Sequence, residues 1–144
     1  MNIAIASDHG GFEMKQALVK HFAEHGQKII DLGTDSTNSV DYPDYADKMA
    51  EYILAKKADL GILICGTGVG ISIAANRHKG IRAALLYNKF VAEKAKQHNN
   101  ANIIVFGGRT MTVPEVIEYC NIFLNASFEG GRHQQRLDKL DKGE

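Results

Sequence analysis

Short runs that are apolar on every residue alternate along this chain with longer stretches whose apolar residues recur every three or four positions. The runs Asn2–Ser7, Leu60–Cys65 and Ile103–Phe106 place apolar side chains on both faces, the pattern of strands buried between two layers. Lys28–Leu32 and Ile81–Leu86 predict two more strands. Helical spacing runs through Phe12–His25, where Phe12, Met14, Ala17, Leu18, Phe22 and Ala23 form the inner face and Gly26 supplies the stop. The same spacing predicts helices at Tyr45–Lys57, Phe90–His98 and Val113–Leu124, the last with Pro114 in its first turn, where proline is tolerated. A further helix starts near Ile71, and Arg132–Lys142 predicts a C-terminal one. The polar stretch Thr34–Asp44, with Tyr42-Pro43 inside it, reads as a loop. Strands and helices alternating at this spacing predict an α/β fold: a Rossmann-like three-layer sandwich, with a five-stranded parallel sheet and helices on both faces. No repeat, low-complexity tract or linker divides the 144 residues, so one domain is expected over 1–144, with 132–144 as a helical tail.

Ligands in such sheets bind beyond the carboxyl ends of the strands. The segments assigned there are Asp8-His9-Gly10-Gly11, the Gly33–Asp44 loop, Cys65–Gly70, His98-Asn99 and Gly107-Gly108-Arg109. Composition narrows the partners. Lys plus Arg equals Asp plus Glu, at 17 each, so no net field argues for nucleic acid or a membrane surface. The N-terminus lacks the features of a signal peptide, and no apolar run approaches the ~20 residues of a membrane span. Two cysteines, Cys65 and Cys120, make no disulfide framework, and a cytoplasmic setting is expected.

The chemistry concentrates in Cys65-Gly66-Thr67-Gly68-Val69-Gly70, which closes the third strand and opens a helix. Alternate glycines let the backbone turn tightly against a ligand, and the N–H groups of a helix start favour negative charge. A dinucleotide site is excluded, because the third glycine of G-x-G-x-x-G would fall on Ile71 and no acid lies between Asp59 and Glu93. A Walker A loop lacks its Gly-Lys-Ser/Thr, and a cysteine-phosphatase loop lacks an arginine before Arg77. Cys65 is therefore either a small buried hydrophobe or a base or nucleophile, and its place at a strand end favours chemistry. Cys120, among Ile117, Ile122 and Phe123, reads as core. His9 and His98 sit beside polar residues at the expected ligand end, while His78 reads as exposed. His21 and His25 are one turn apart but have no third ligand, so no metal site is expected. Arg132 and Arg136 share a helix face after a Gly-Gly turn, and with Arg109 they offer guanidinium forks to an anion. Asp8 could orient a histidine, bond a sugar hydroxyl or simply cap a turn.

Five segments carry a family resemblance. They are Ser7-Asp8-His9-Gly10-Gly11, Asp41-Tyr42-Pro43-Asp44-Tyr45-Ala46, Ile64 through Asn76, Gln97-His98-Asn99 and Glu129-Gly-Gly-Arg-His-Gln-Gln-Arg136. On them the chain resembles the family of type B ribose-5-phosphate isomerases and galactose-6-phosphate isomerase subunits. The resemblance implies interconversion of an aldose phosphate and its ketose phosphate through ring opening and a cis-enediolate, with no metal or organic cofactor. It implies Cys65 as the proton-moving base and His98 as the acid for ring opening, with Asp8 and Thr67 assisting. Backbone N–H groups of Gly66, Thr67, Gly68, Val69 and Gly70 would hold the enediolate oxygens. His9, Arg109, Arg132 and Arg136 would take the phosphate, and Asn99 and Tyr42 the sugar. Members of the family are dimers or dimers of dimers with shared sites, which implies that His98, Asn99 and Arg109 reach the neighbour's Cys65. The expected substrate is ribose 5-phosphate. The alternatives are a hexose 6-phosphate (allose or galactose) and a sugar-phosphate-binding protein without turnover.

Overall fold

The computed structural model describes residues 1–142. The apolar runs form strands β1 (Asn2–Ser7), β2 (Lys28–Asp31), β3 (Leu60–Cys65), β4 (Ala83–Leu85) and β5 (Ile103–Gly107). The periodic stretches form helices α1 (Phe12–Glu24), α2 (Tyr42–Leu54), α3 (Val69–Ala75), α4 (Lys89–Gln97), α5 (Val113–Asn125) and α6 (Arg132–Asp141). All strand pairs are parallel, in the order β2-β1-β3-β5-β4. The Rossmann-like three-layer arrangement read from the sequence is the one found.

Strand alternation sorts the core into two layers. Ile3, Ile5, Ile62, Ile64, Ile104 and Phe106 face one way, against α1, α4 and α5. Ala4, Ala6, Leu63, Cys65, Ile103 and Val105 face the other, against α2 and α3. β1 and β3 are neighbours, but the chain leaves β1 for β2 on one side and takes up β3 on the other. The strand order thus reverses between β1 and β3, and the carboxyl ends at such a switch point are the usual ligand position in these sheets.

Three expectations are corrected. Tyr42-Pro43 lies inside α2, which starts at Tyr42 with Asp41 at its N-cap and Pro43 in the first turn. There the missing proline N–H would have had no partner anyway. On α1 the buried face includes Lys15, fully buried and paired with Asp31 of β2 at 2.7 Å. Ala23, expected inside, is exposed. The third is topological. His98-Asn99 ends α4 and leads into β5, so it sits at the amino ends of the strands. Backbone contacts agree: Asn102 N–H donates to the Arg82 carbonyl just before β4 and β5, and the Arg82 guanidinium donates to the Asn99 carbonyl.

Candidate active site

The β1 and β3 loops meet in close backbone contact. A methyl group at Gly10 would lie 3.1 Å from the Gly66 nitrogen. Asp8 caps the 3-10 turn that follows β1, its carboxylate accepting the Gly10 N–H at 2.9 Å, and it is buried. Asp8 thus has the capping role the sequence left open, and its N–H donates to the Ile64 carbonyl beside Cys65.

Cys65 ends β3 and is 5% exposed. The loop turns back over it because Gly68 takes φ +82°, a left-handed conformation costly to residues with a Cβ. In that conformation the Gly68 N–H donates to Cys65 Sγ at 3.1 Å. Negative charge on the sulfur would meet this donor directly. The Val69 N–H is taken by Thr67 Oγ1. The N–H groups of Gly66, Thr67 and Gly70 find no acceptor among the described residues. Free donors beside a thiol are what a developing oxyanion needs. A Gly68→Ala substitution is expected to destabilise the fold by at least ~1–2 kcal/mol from handedness alone. Its Cβ would also fall 2.6 Å from the Leu85 side chain and 3.0 Å from the Phe106 backbone. A lowered urea midpoint together with lost turnover is the expected result.

Two side chains lean over this loop. A methyl on Gly70 would lie 2.8 Å from the Tyr42 ring, and one on Gly66 would lie 3.3 Å from Arg109 Nη1. Arg109 is held there by its own N–H, which donates to the Gly66 carbonyl. The resemblance had sent Arg109 to a neighbouring chain; the structure places it on the loop of its own. His9 Nδ1 accepts the Val40 N–H at 3.1 Å, which leaves any ring proton on Nε2 as an outward donor. His9, Arg109, Gly10, Gly108, Thr37 and Glu13 share a cleft of about 290 Å³.

The remaining expected residues form a separate group. His98 and His133 stack with centroids 4.1 Å apart and planes inclined by 12°. Glu129 Oε1 lies 3.4 Å from His133 Nε2 and 3.7 Å from His98 Nε2. Arg132 and Arg136 start α6 beside them, and Asn99 is exposed next door. Burial, then the positive charges of His98 and Arg132, hold the His133 pKa below the ordinary imidazole value. β5 alone, with five residues at ~3.3 Å each, sets this group ~16 Å from the Cys65 end of the sheet. Sequence reading passed over His133 and Glu129; His133 was visible inside the Gly-Gly-Arg-His motif.

The ligand atoms of His98, Glu129 and His133 lie within 4.8 Å of one another, close enough for a shared ion. Near-parallel rings aim their lone pairs along parallel lines, not at one point, and Arg132 and Arg136 oppose a cation. His21 and His25 likewise stack, with His25 Nδ1 turned to the His21 carbonyl. Cys120 is fully buried and its thiol is pushed far up by burial, as a core residue should be. His78 is half-buried and contacts Asp47 at 2.7 Å.

The comparisons with known proteins are consistent across the chain. A family model described as Ribose/Galactose Isomerase matches residues 3–140. The sequence is 50% identical over 139 residues to a putative sugar phosphate isomerase of Rickettsia conorii, covering 96% of each chain. A solved ribose 5-phosphate isomerase from Thermotoga maritima superposes with a TM-score of 0.97 at 48% identity, covering 99% of this chain and 98% of that one. A ribose-5-phosphate isomerase B from Mycoplasma genitalium, solved with bound ribulose-5-phosphate, gives 0.91 at 44% identity, covering 98% and 94%.

Proposed function

The chain belongs to the ribose/galactose isomerase family, and from that premise we propose that it interconverts D-ribose 5-phosphate and D-ribulose 5-phosphate. The observation that carries this reading is Cys65 itself, held at a strand end with an N–H on its sulfur and free N–H donors beside it.

The chemistry follows from the groups available. His98 donates a proton to the ring oxygen as the C1–O bond breaks, and the anomeric hydroxyl becomes the aldehyde as Asp8 accepts its proton. The Cys65 thiolate removes the proton at C2 of the open aldose. The C–H electron pair forms the C1–C2 double bond, and the carbonyl pair moves onto O1. Gly66, Thr67 and Gly70 donate N–H bonds to that enediolate, which forms only during reaction, so the bonds lower the barrier and not merely the ground state. The thiol returns its proton to C1, and the O2 proton passes to O1, leaving the ketone at C2. His9 and Arg109 are suited to the phosphate from the Cys65 side, Arg132 and Arg136 from the other. Tyr42 and Asn99 contact the sugar.

One chain holds these residues at opposite ends of its sheet, so we place a second copy across the site. Val69 and Ile73, half-exposed and one turn apart on α3, offer an apolar face directly beside the Cys65 loop. A homodimer, or a dimer of dimers, covering that face can bring His98, Asn99, Arg132 and Arg136 of one copy to Cys65 of the other. No helix among the described residues is long and apolar enough to cross a membrane, and a cytoplasmic enzyme fits the two free thiols.

The pentose reading is tested by comparing kcat/KM for ribose 5-phosphate, allose 6-phosphate and galactose 6-phosphate. Preference for the pentose is expected; preference for either hexose overturns it, and no turnover of any would leave a binding protein. Arg136→Ala is expected to raise KM for ribose 5-phosphate roughly ten- to a hundredfold, the worth of a charge-assisted bond, with little change in kcat.

A further inference from the structure

His133 is a buried titratable group stacked on the proposed acid, and Glu129 stands at the Nε2 edge of both rings, yet neither has a part in the steps above. We propose that Glu129 and His133 are positioning residues for His98: the buried ring of His133, stacked at 4.1 Å, fixes the plane of His98, and the Glu129 carboxylate holds the Nε2 edges of the two rings together. The inference rests on His98 being the ring-opening acid.

The His133 side chain is 7% exposed against 37% for His98, so His133 is the fixed member of the stack and His98 the one that faces out. Burial and the positive charges of His98, Arg132 and Arg136 hold the His133 pKa down, so it stacks as a neutral ring. Glu129 is the acid that contacts both rings, and its backbone is tied to α4 by the bond from its N–H to the Gln97 carbonyl. At 3.7 Å its carboxylate lies beyond hydrogen-bond distance of His98 Nε2, so that nitrogen remains free to face a substrate oxygen.

Substrate chemistry supplies a clean test. Ribulose 5-phosphate cannot close to a furanose, because O5 carries the phosphate, so exchange of its C1 hydrogen with solvent needs the base and not the ring-opening acid. Glu129→Gln and His133→Asn are expected to lower kcat for ribose 5-phosphate about tenfold, a fraction of what a general acid contributes. Its KM and the rate of C1 deuterium uptake from D2O by ribulose 5-phosphate should stay within about twofold. Wild-type kcat in both Glu129→Gln, which is half-exposed and removes no core contact, and His133→Asn would overturn the proposal. So would a parallel loss of isomerisation and exchange in both variants, which marks a merely structural role. His98→Ala distinguishes the premise: if it isomerises ribose 5-phosphate normally, the acid itself is misassigned.

Discussion

Cys65→Ala is expected to cut turnover of ribose 5-phosphate by roughly a thousandfold, the scale of a removed proton-transfer group, and to abolish C1 exchange into ribulose 5-phosphate as well. Affinity for a non-reacting open-chain sugar-acid phosphate, measured by calorimetry, should change only a few-fold. The reasoning is local. Cys65 is small, nearly buried and ends its strand, so alanine removes the sulfur and its bond from the Gly68 N–H but little packing. The residues suited to the phosphate, His9 and Arg109, are held by other contacts, from Val40 N–H and through Gly66. A mutant with near-normal turnover would remove Cys65 as the base. A mutant that also lost the ligand would point instead to collapse of the loop, which thermal unfolding would reveal.

Mixing two inactive proteins is expected to restore activity. Cys65→Ala and His98→Ala chains, each dead alone, should regain about a quarter of wild-type turnover when unfolded together and refolded at equal concentration. Random pairing makes half the dimers mixed, and in a two-fold symmetric mixed dimer one of the two sites receives both intact residues. The prediction comes from topology, not from an interface contact. Cys65 closes β3 at the carboxyl end of the sheet, while His98 precedes β5 at the amino end. With ~16 Å of strand between the ends, a single copy cannot present both groups to a five-carbon sugar. No recovery on mixing, with dimers verified by light scattering, would mean each site is built within one chain.

The elements most legible in the sequence were those whose side chains face only the core. β1 and β3 were read to the residue, because strands buried on both faces carry near-continuous apolar runs. The start of α2 was not. Tyr42-Pro43 has the local signature of a turn, and the same signature is compatible with a first helical turn; packing of Ala46, Met49 and Ala50 against β1 and β3 decided for the helix. Lys15 shows the same limit. A lysine on an amphipathic helix reads as exposed until Asp31, sixteen residues away, is folded against it.

Some of the site was legible for a chemical reason. A thiol followed by alternate glycines constrains the backbone through steric exclusion alone, so Cys65 and its loop stood out before any fold was known. His9 and Arg109 were visible as residue types at strand ends. The sequence by itself thus determined the layers, the parallel sheet, the thiol and its ring of donors, since each follows from side-chain size and the allowed backbone angles. Only the tertiary structure decided that Arg109 stays with its own loop, that His98 lies at the far end of the sheet, and that His133 and Glu129 close around it. Those facts depend on contacts between segments distant in sequence, and the order β2-β1-β3-β5-β4, not local pattern, brings such segments together or sets them apart.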